Sequence, residues 1–289
     1  MLATLFLCCL VSTTPVMVGQ PPQTGGLPSG GAPPIPTTDR NPGAASNRGA
    51  SRTPEPAGAD LSAAAKQVIE RAIEAHGGKA LLSKVHADRV KLKGKLVVDK
   101  VEVPYSAETA VQLPNQFRNT IQFNQGKKDV VMTQVLNGES VAVWINGKQQ
   151  KIPPAMEEEI RQNFALNRAI RMLALLEDPG YELKYLGKDE DPARVLHVVR
   201  INHRGLRELR MFFESGTGLL VKTEHPVDYL GKQYLQEERY SDFRSLSGFR
   251  RPVKMEVIRG GQKLLEASLT EVHYPESLPP ELFATETKP

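Results

Sequence analysis

Cysteine is nearly missing from this chain. Its two thiols, Cys8 and Cys9, both lie in the first nine residues. If that leader is removed, the mature domain has no disulfide, no redox-active pair and no thiolate ligand for a metal. Long hydrophobic runs are also missing: the one at the N-terminus is too short to span a membrane. A charge excess is lacking too. Thirty-seven Lys and Arg face 33 Asp and Glu, for a net charge of +4. That mild basicity tolerates anionic surfaces without calling for nucleic acid. The catalytic signatures HExxH, GxSxG, GxGxxG and the P-loop are not found. The six histidines, His76, His86, His197, His203, His225 and His273, are scattered and form no compact ligand motif. Strands do not alternate with helices, which excludes a doubly wound or TIM-barrel architecture.

What is present divides into three parts. "MLATLFLCCLVSTTPVMVG", residues 1–19, has the apolar core of a secretory signal, although the first basic residue is Arg40. Cleavage is expected after Gly19 or near Thr13, with export to the periplasm or cell envelope. Leu7 precedes Cys8 where lipid attachment needs a small residue, so lipidation is not expected. Residues 20–59 are rich in Pro, Gly, Ser and Thr and have too few large apolar groups to offset ordering entropy. They read as a disordered linker. Residues 60–289 are globular in pattern, with length for one domain.

The globular part opens on a helix with Ala65, Val68, Ile69, Ala72 and Ile73 on one face, capped by Asp60 or Ser62. His76 falls in its last turn, where a cation suits the helix dipole. Gly77 then supplies the left-handed residue that ends it. Strand patterns follow. Val90, Leu92 and Leu96 share one face, with Arg89, Lys91, Lys93 and Lys95 on the other. The lysine stripe suits an anionic headgroup or an acidic partner, but it reads first as a solvated face that also deters edge pairing. Phe117, Ile121 and Phe123 share a parity. Asn137-Gly138 and Asn146-Gly147 signal two-residue hairpins. One long helix, about Pro154 to Leu176, follows, with Met156, Ile160, Phe164, Ile170 and Leu173 as its apolar stripe. Glu157 to Glu159 sit at its positive end, and Glu157 can pair with Arg161. Seven further strand patterns separated by turns complete the chain. The acidic "KDEDP", Lys188 to Pro192, reads as a turn, and Asp191-Pro192 as a separator. The fold class expected is mainly β, an antiparallel meander with helices on its concave face.

Several phrases together resemble the periplasmic lipoprotein-carrier and lipoprotein-sorting superfamily (LolA/LolB-like). "AIEAHGGKALLSKVHADRVKLKGKL" resembles its opening helix, glycine corner and first strand. "LNGESVAVWINGKQQKIPPAMEEEI" resembles its central hairpin and plug helix, although Trp144 comes early and Pro153-Pro154 late. "LRMFFESGTGLLVKTEH" and "YSDFRSLSGFRRPVKMEVIRGGQKLLEASLTEVHYPESLPPELF" resemble its later hairpins. The likeness runs from Leu61 to about Phe283. It implies an incomplete, strongly curved antiparallel barrel plugged by helices, with a hydrophobic cavity for acyl chains. Phe117, Ile121, Phe123, Trp144, Met156, Ile160 and Phe164 are then the cavity candidates. The function implied is a non-enzymatic, exported carrier or binding protein for lipid or lipoprotein acyl chains. It would be a monomer, with no cofactor or metal, no nucleic-acid partner, and a membrane surface as a second contact. The alternative is an envelope interaction module with a filled core and no cargo.

Overall fold

Thirteen strands pair antiparallel in one sheet, and neighbours in sequence are neighbours in space almost throughout. The computed structural model describes residues 60–98, 100–126, 128–191, 194–229 and 231–286. The expected signal segment and linker lie outside them. The strands are β1 (Ala87–Val98), β2 (Val101–Gln112), β3 (Gln116–Gln125), β4 (Lys128–Asn137), β5 (Ser140–Ile145), β6 (Lys148–Gln150), β7 (Glu182–Asp191), β8 (Arg194–His203), β9 (Leu206–Glu214), β10 (Leu220–Tyr229), β11 (Lys232–Leu246), β12 (Phe249–Arg259) and β13 (Gln262–His273). Their order is β6-β5-β4-β3-β2-β1-β13-β12-β11-β10-β9-β8-β7. Two meanders therefore meet at the β1–β13 seam, and the edges β6 and β7 remain unpaired with each other. The sheet is an open half-barrel. Val143 of β5 and Leu183 of β7, near opposite edges, belong to one core cluster, which requires strong curvature. Register shifts at Lys91/Leu92, Leu220/Lys222, Val257/Ile258, Tyr185/Gly187 and Ile201/His203 mark local bends.

The chain leaves the sheet at one edge strand and re-enters at the other. The segment between β6 and β7 must therefore cross the open side, and it does so as helices. The single long helix expected there is two: α3 (Pro154–Ala169) and α4 (Leu173–Glu177), numbered after α1 (Leu61–Ala75) and α2 (Lys79–Leu82). The break is at Met172, a buried residue with φ 68. A β-carbon makes that conformation costly, so tertiary contacts hold it. Ile170 and Met172 are both buried, and Arg171 between them reaches the Asp88 carboxylate at 2.8 Å. A continuous helix could not place those three side chains together.

The glycine corner has a definite geometry. Asp60 caps α1, its Oδ1 accepting from the Ser62 and Ala63 amides at 3.0 Å. At the other end Gly78 N–H donates to Ile73 O at 2.9 Å and Gly77 N–H to Glu74 O at 3.2 Å. This is the paired closure of a helix whose next residue is left-handed, and Gly77 has φ 130. A β-carbon on Gly77 would also meet Gly248 O at 3.2 Å. His76 is not the dipole-facing cation expected. It is buried, and burial holds its pKa down to about 4, so it is neutral at pH 7. Nε2 accepts from the Leu220 amide at 3.2 Å, which leaves Nδ1–H to donate to Arg250 O at 2.7 Å. His76 thus ties the end of α1 to β10 and β12.

Other local expectations shift. Asn146-Gly147 forms the two-residue turn between Ile145 and Lys148, both residues with positive φ. Asn137 instead pairs with Ser140, so the turn is Gly138-Glu139. "KDED" continues β7 to Asp191 and is not a turn; Pro192 lies outside the described residues. Arg161 pairs with Glu139 at 3.4 Å and not with Glu157. Glu159, in the acidic run at the helix start, is buried against Arg207 at 2.6 Å. The lysine stripe lies on β1, which is paired on both sides, so it guards no edge. Lys91 and Lys95 are matched there by Glu271 at 2.8 Å and Glu102 at 3.4 Å.

Candidate functional site

The concave face and the helices over it bring six of the seven candidate residues into one cluster. Phe117, Ile121 and Phe123 project from β3, and Ile160 and Phe164 from α3, with half-buried Met156 packed against them. The Phe117 and Phe164 rings are 6.3 Å apart. Trp144 is elsewhere. It alternates with Val143, so it points to the convex face, where it packs with Ala87, Ala110, Val135, Leu278 and Phe283 under the C-terminal turn Pro280–Phe283. The parity of β5 excludes it from the cavity set.

The hollow is filled. Phe117 and Ile121 have 0% of their surface accessible and Ile160 has 1%. No water-sized void touches the two strand residues. Polar groups are buried in the same space. Thr109, Asn119 and Gln134 form a cross-strand row on β2, β3 and β4, with the Thr109 hydroxyl donating to Asn119 Oδ1 at 3.0 Å. Opposite the sheet, α3 buries Glu159, Asn163 and Asn167 at i, i+4 and i+8. Asn119 Nδ2, Gln134 Oε1 and Asn167 Nδ2 are buried with no hydrogen-bond partner. Each such group costs about 1–3 kcal/mol. The i, i+4 spacing of Asn163 and Asn167 is visible in the sequence, but nothing there says that this face turns inward.

The second meander turns ionisable groups inward. His225 is buried, neither ring nitrogen has a partner, and burial aided by Arg259 and Arg207 lowers its pKa to about 4. Its cross-strand neighbour Gln236 accepts from Arg259 Nη2 at 2.7 Å. The Tyr240 hydroxyl donates to Glu238 Oε2 at 2.8 Å.

A third feature lies where the helices break. A groove of about 440 Å³ runs between α2, the β2–β3 turn and the α3–α4 junction, lined by Leu82, Val85, Leu113, Leu173, Arg168 and Arg171 among others. Behind it Asp88 is 1% exposed, 2.8 Å from Arg171 and 3.5 Å from Arg251. Burial pushes the Asp88 carboxyl up, but the two guanidiniums outweigh this and hold it below its usual range. Sequence reading missed these three residues because they are about 80 positions apart and only the curved sheet joins them.

His197 accepts or donates at both nitrogens, to Tyr185 Oη at 2.8 Å and Ser215 Oγ at 3.2 Å. Among the described residues no group of three or more His, Cys, Asp or Glu is placed to hold a metal ion. Among them, too, no helix is long and apolar enough to cross a membrane.

An open antiparallel half-barrel plugged by helices defines a known structural class. The chain has the fold of a LolA superfamily protein from Nitrosomonas europaea, with a TM-score of 0.51 and 13% identity over 76% of this chain and 97% of that one. A DUF1329 family protein from Desulfovibrio piger aligns over the same shares at 10% identity and a TM-score of 0.48. A proposed outer membrane lipoprotein-sorting protein domain from Vibrio parahaemolyticus does so at 10% and 0.45. No protein-family model and no curated protein sequence matches the chain. The fold is LolA-like.

Proposed function

We propose that this protein is an exported, non-enzymatic carrier or binding protein for lipid or lipoprotein acyl chains, and that α3 is the lid of its hollow. The observation that carries this reading is the mixed character of the α3–sheet interface. Ile160, Phe164 and Leu166 seal it with apolar area, while unpaired amides at Asn119, Gln134 and Asn167 weaken it. A permanent core is better stabilised with apolar groups in those places. A lid that must leave needs a closed state of limited depth. An acyl chain then replaces the α3 side chains against Phe117, Ile121 and Phe123, gaining about 0.8 kcal/mol per buried methylene. Phe and Met side chains can repack around a flexible chain.

The filled hollow favours a second reading: an envelope interaction module whose core never opens and which docks a partner. One paired experiment separates the two. Thermal unfolding and titration with a fluorescent fatty-acid probe are run on the wild type, Phe164→Ala and Phe123→Ala. The carrier reading expects micromolar probe binding that both substitutions weaken, with Phe164→Ala costing well under the roughly 3–5 kcal/mol of a permanent core. No probe binding by the wild type, with both variants severely destabilised, leaves the module. Export is tested by N-terminal sequencing of the envelope form; an intact Met1 refutes it.

A further inference from the structure

The groove at the helix break is separate from the hollow and has its own chemistry. Leu82, Val85, Leu113, Pro114, Leu173 and Ala174 give it an apolar floor. The acids beside it already have cations: Asp178 has Arg168 at 2.9 Å, with His203 at 3.7 Å, and Glu177 has Lys79 at 3.0 Å. Asp88 has two, Arg171 and Arg251. One positive charge is therefore in excess, and of that pair Arg171 lines the groove.

Two details make Arg171 available. Its Nε is buried with no hydrogen-bond partner, and its tie to Asp88 runs through Nη2. The unused Nε–H belongs to the two-donor edge that matches a carboxylate. Arg171 can also turn toward a ligand without stranding Asp88, because Arg251 remains 3.5 Å away. A buried carboxylate held by one arginine would forbid that motion.

We propose that this groove binds a single-chain fatty-acid anion, with its carboxylate on Arg171 and its hydrocarbon along Leu82, Val85, Leu113 and Leu173. The volume, about 440 Å³, is near the small end for ligand sites. It suits one acyl chain and not the two of a phospholipid. The fork of Arg171 selects an anion where an apolar floor alone would take any amphiphile of that length.

Calorimetric titration with dodecanoate and dodecanol at neutral pH tests this. The wild type is expected to bind dodecanoate about tenfold more tightly than dodecanol, the effect of one charge-assisted contact. Arg171→Gln should erase that preference and leave dodecanol binding intact. Ala174→Trp, which fills the floor, should weaken both ligands, and Trp144→Ala on the convex face, outside both the groove and the hollow, should change neither. Circular dichroism checks that each variant folds. Should Arg171→Gln not fold, Arg171→Lys keeps the charge without the fork and should cut the preference at least threefold. Equal affinities in the wild type, or a preference that survives both Arg171 variants, overturns the proposal. Loss of dodecanoate binding in Phe164→Ala alone overturns it too, while supporting acyl binding in the hollow. Tighter binding of dioctanoyl phosphatidylglycerol than of dodecanoate removes the single-chain assignment.

Discussion

The two meanders of the sheet are alike in topology and unlike in what they turn inward. Among the described residues, β2 to β5 bury Val111, Phe117, Ile121, Phe123, Met132, Leu136 and Val143, with only neutral polar groups among them: Thr109, Asn119, Gln134 and the Tyr105 hydroxyl, which burial keeps protonated. β9 to β12 bury Leu209, Met211, Phe213, Met255 and Val257, but add His225, Gln236, Glu238 and Arg251. The first wing is a greasy wall. The second holds the ionisable groups, and Arg251 there shares Asp88 with the helix break. Apolar contact needs no particular partner and is cheap to rearrange. A buried ion needs a specific counter-charge. An acyl chain that enters the hollow should therefore displace side chains from the first wing, while the second wing fixes where the helices rest.

The seam between the wings gives the largest expected effect. A β-carbon on Gly94 would sit 1.9 Å from Glu266 O and 2.8 Å from its carbonyl carbon. Those are backbone atoms of the paired strand β13, so Gly94→Ala must part β1 from β13. A loss above about 4 kcal/mol is expected in urea unfolding; a loss under about 1 kcal/mol would mean that the two wings are joined less rigidly than their pairing suggests.

Next in size is the greasy wall itself. Phe117→Ala should cost roughly 3–5 kcal/mol, because Phe117 is wholly enclosed and sits beside Phe164. It can cost less only if α3 settles into the space, which a crystal structure or a probe titration of the variant would reveal.

The smallest effect has the opposite sign. His225→Leu should stabilise the protein by about 1 kcal/mol, since it replaces two unpartnered buried nitrogens by apolar volume. It should also change the pH dependence. The folded pKa values of His76 and His225 are about 4, below the ordinary 6.5. Between those values the unfolded chain binds more protons than the folded one. Stability therefore falls as pH drops from about 6.5 to 4, by up to roughly 3 kcal/mol per histidine. His225→Leu should remove about half of that slope and leave the His76 share. An unchanged slope would place the titration elsewhere and blur the contrast between the wings.

How far this was legible in the sequence depends on the range of the interaction that decides each feature. The alternation of Val90, Leu92 and Leu96 with basic residues, and the common parity of Phe117, Ile121 and Phe123, gave strands and faces correctly, because side-chain direction in a strand is local. Asn146-Gly147 gave its hairpin for the same reason, and Gly77 its helix end. Periodicity could not show the α3 break. Residues 154–176 have a continuous helical pattern, and the break at Met172 sits beside the contact of Arg171 with Asp88, more than 80 residues away in the chain. The pairing of Asn137 with Ser140 was a one-residue error in a signal that was present. Trp144 was misplaced because the family resemblance carried it into the cavity set, while its parity, had it been followed from Val143, pointed outward.

Local chemistry in the sequence determined that this would be an antiparallel meander opened by a capped helix and interrupted once by helices. Each of those features depends on neighbours within a few residues. The tertiary structure decided the rest: that the β1–β13 seam joins two unequal wings, that His76 is a neutral staple and not a cation, and that Asp88, Arg171 and Arg251 meet. A buried charge or a zero-exposure phenylalanine is set by which distant surfaces are pressed together, and burial changes both the ionisation of a group and the cost of leaving it unpaired. Sequence spacing has no term for that.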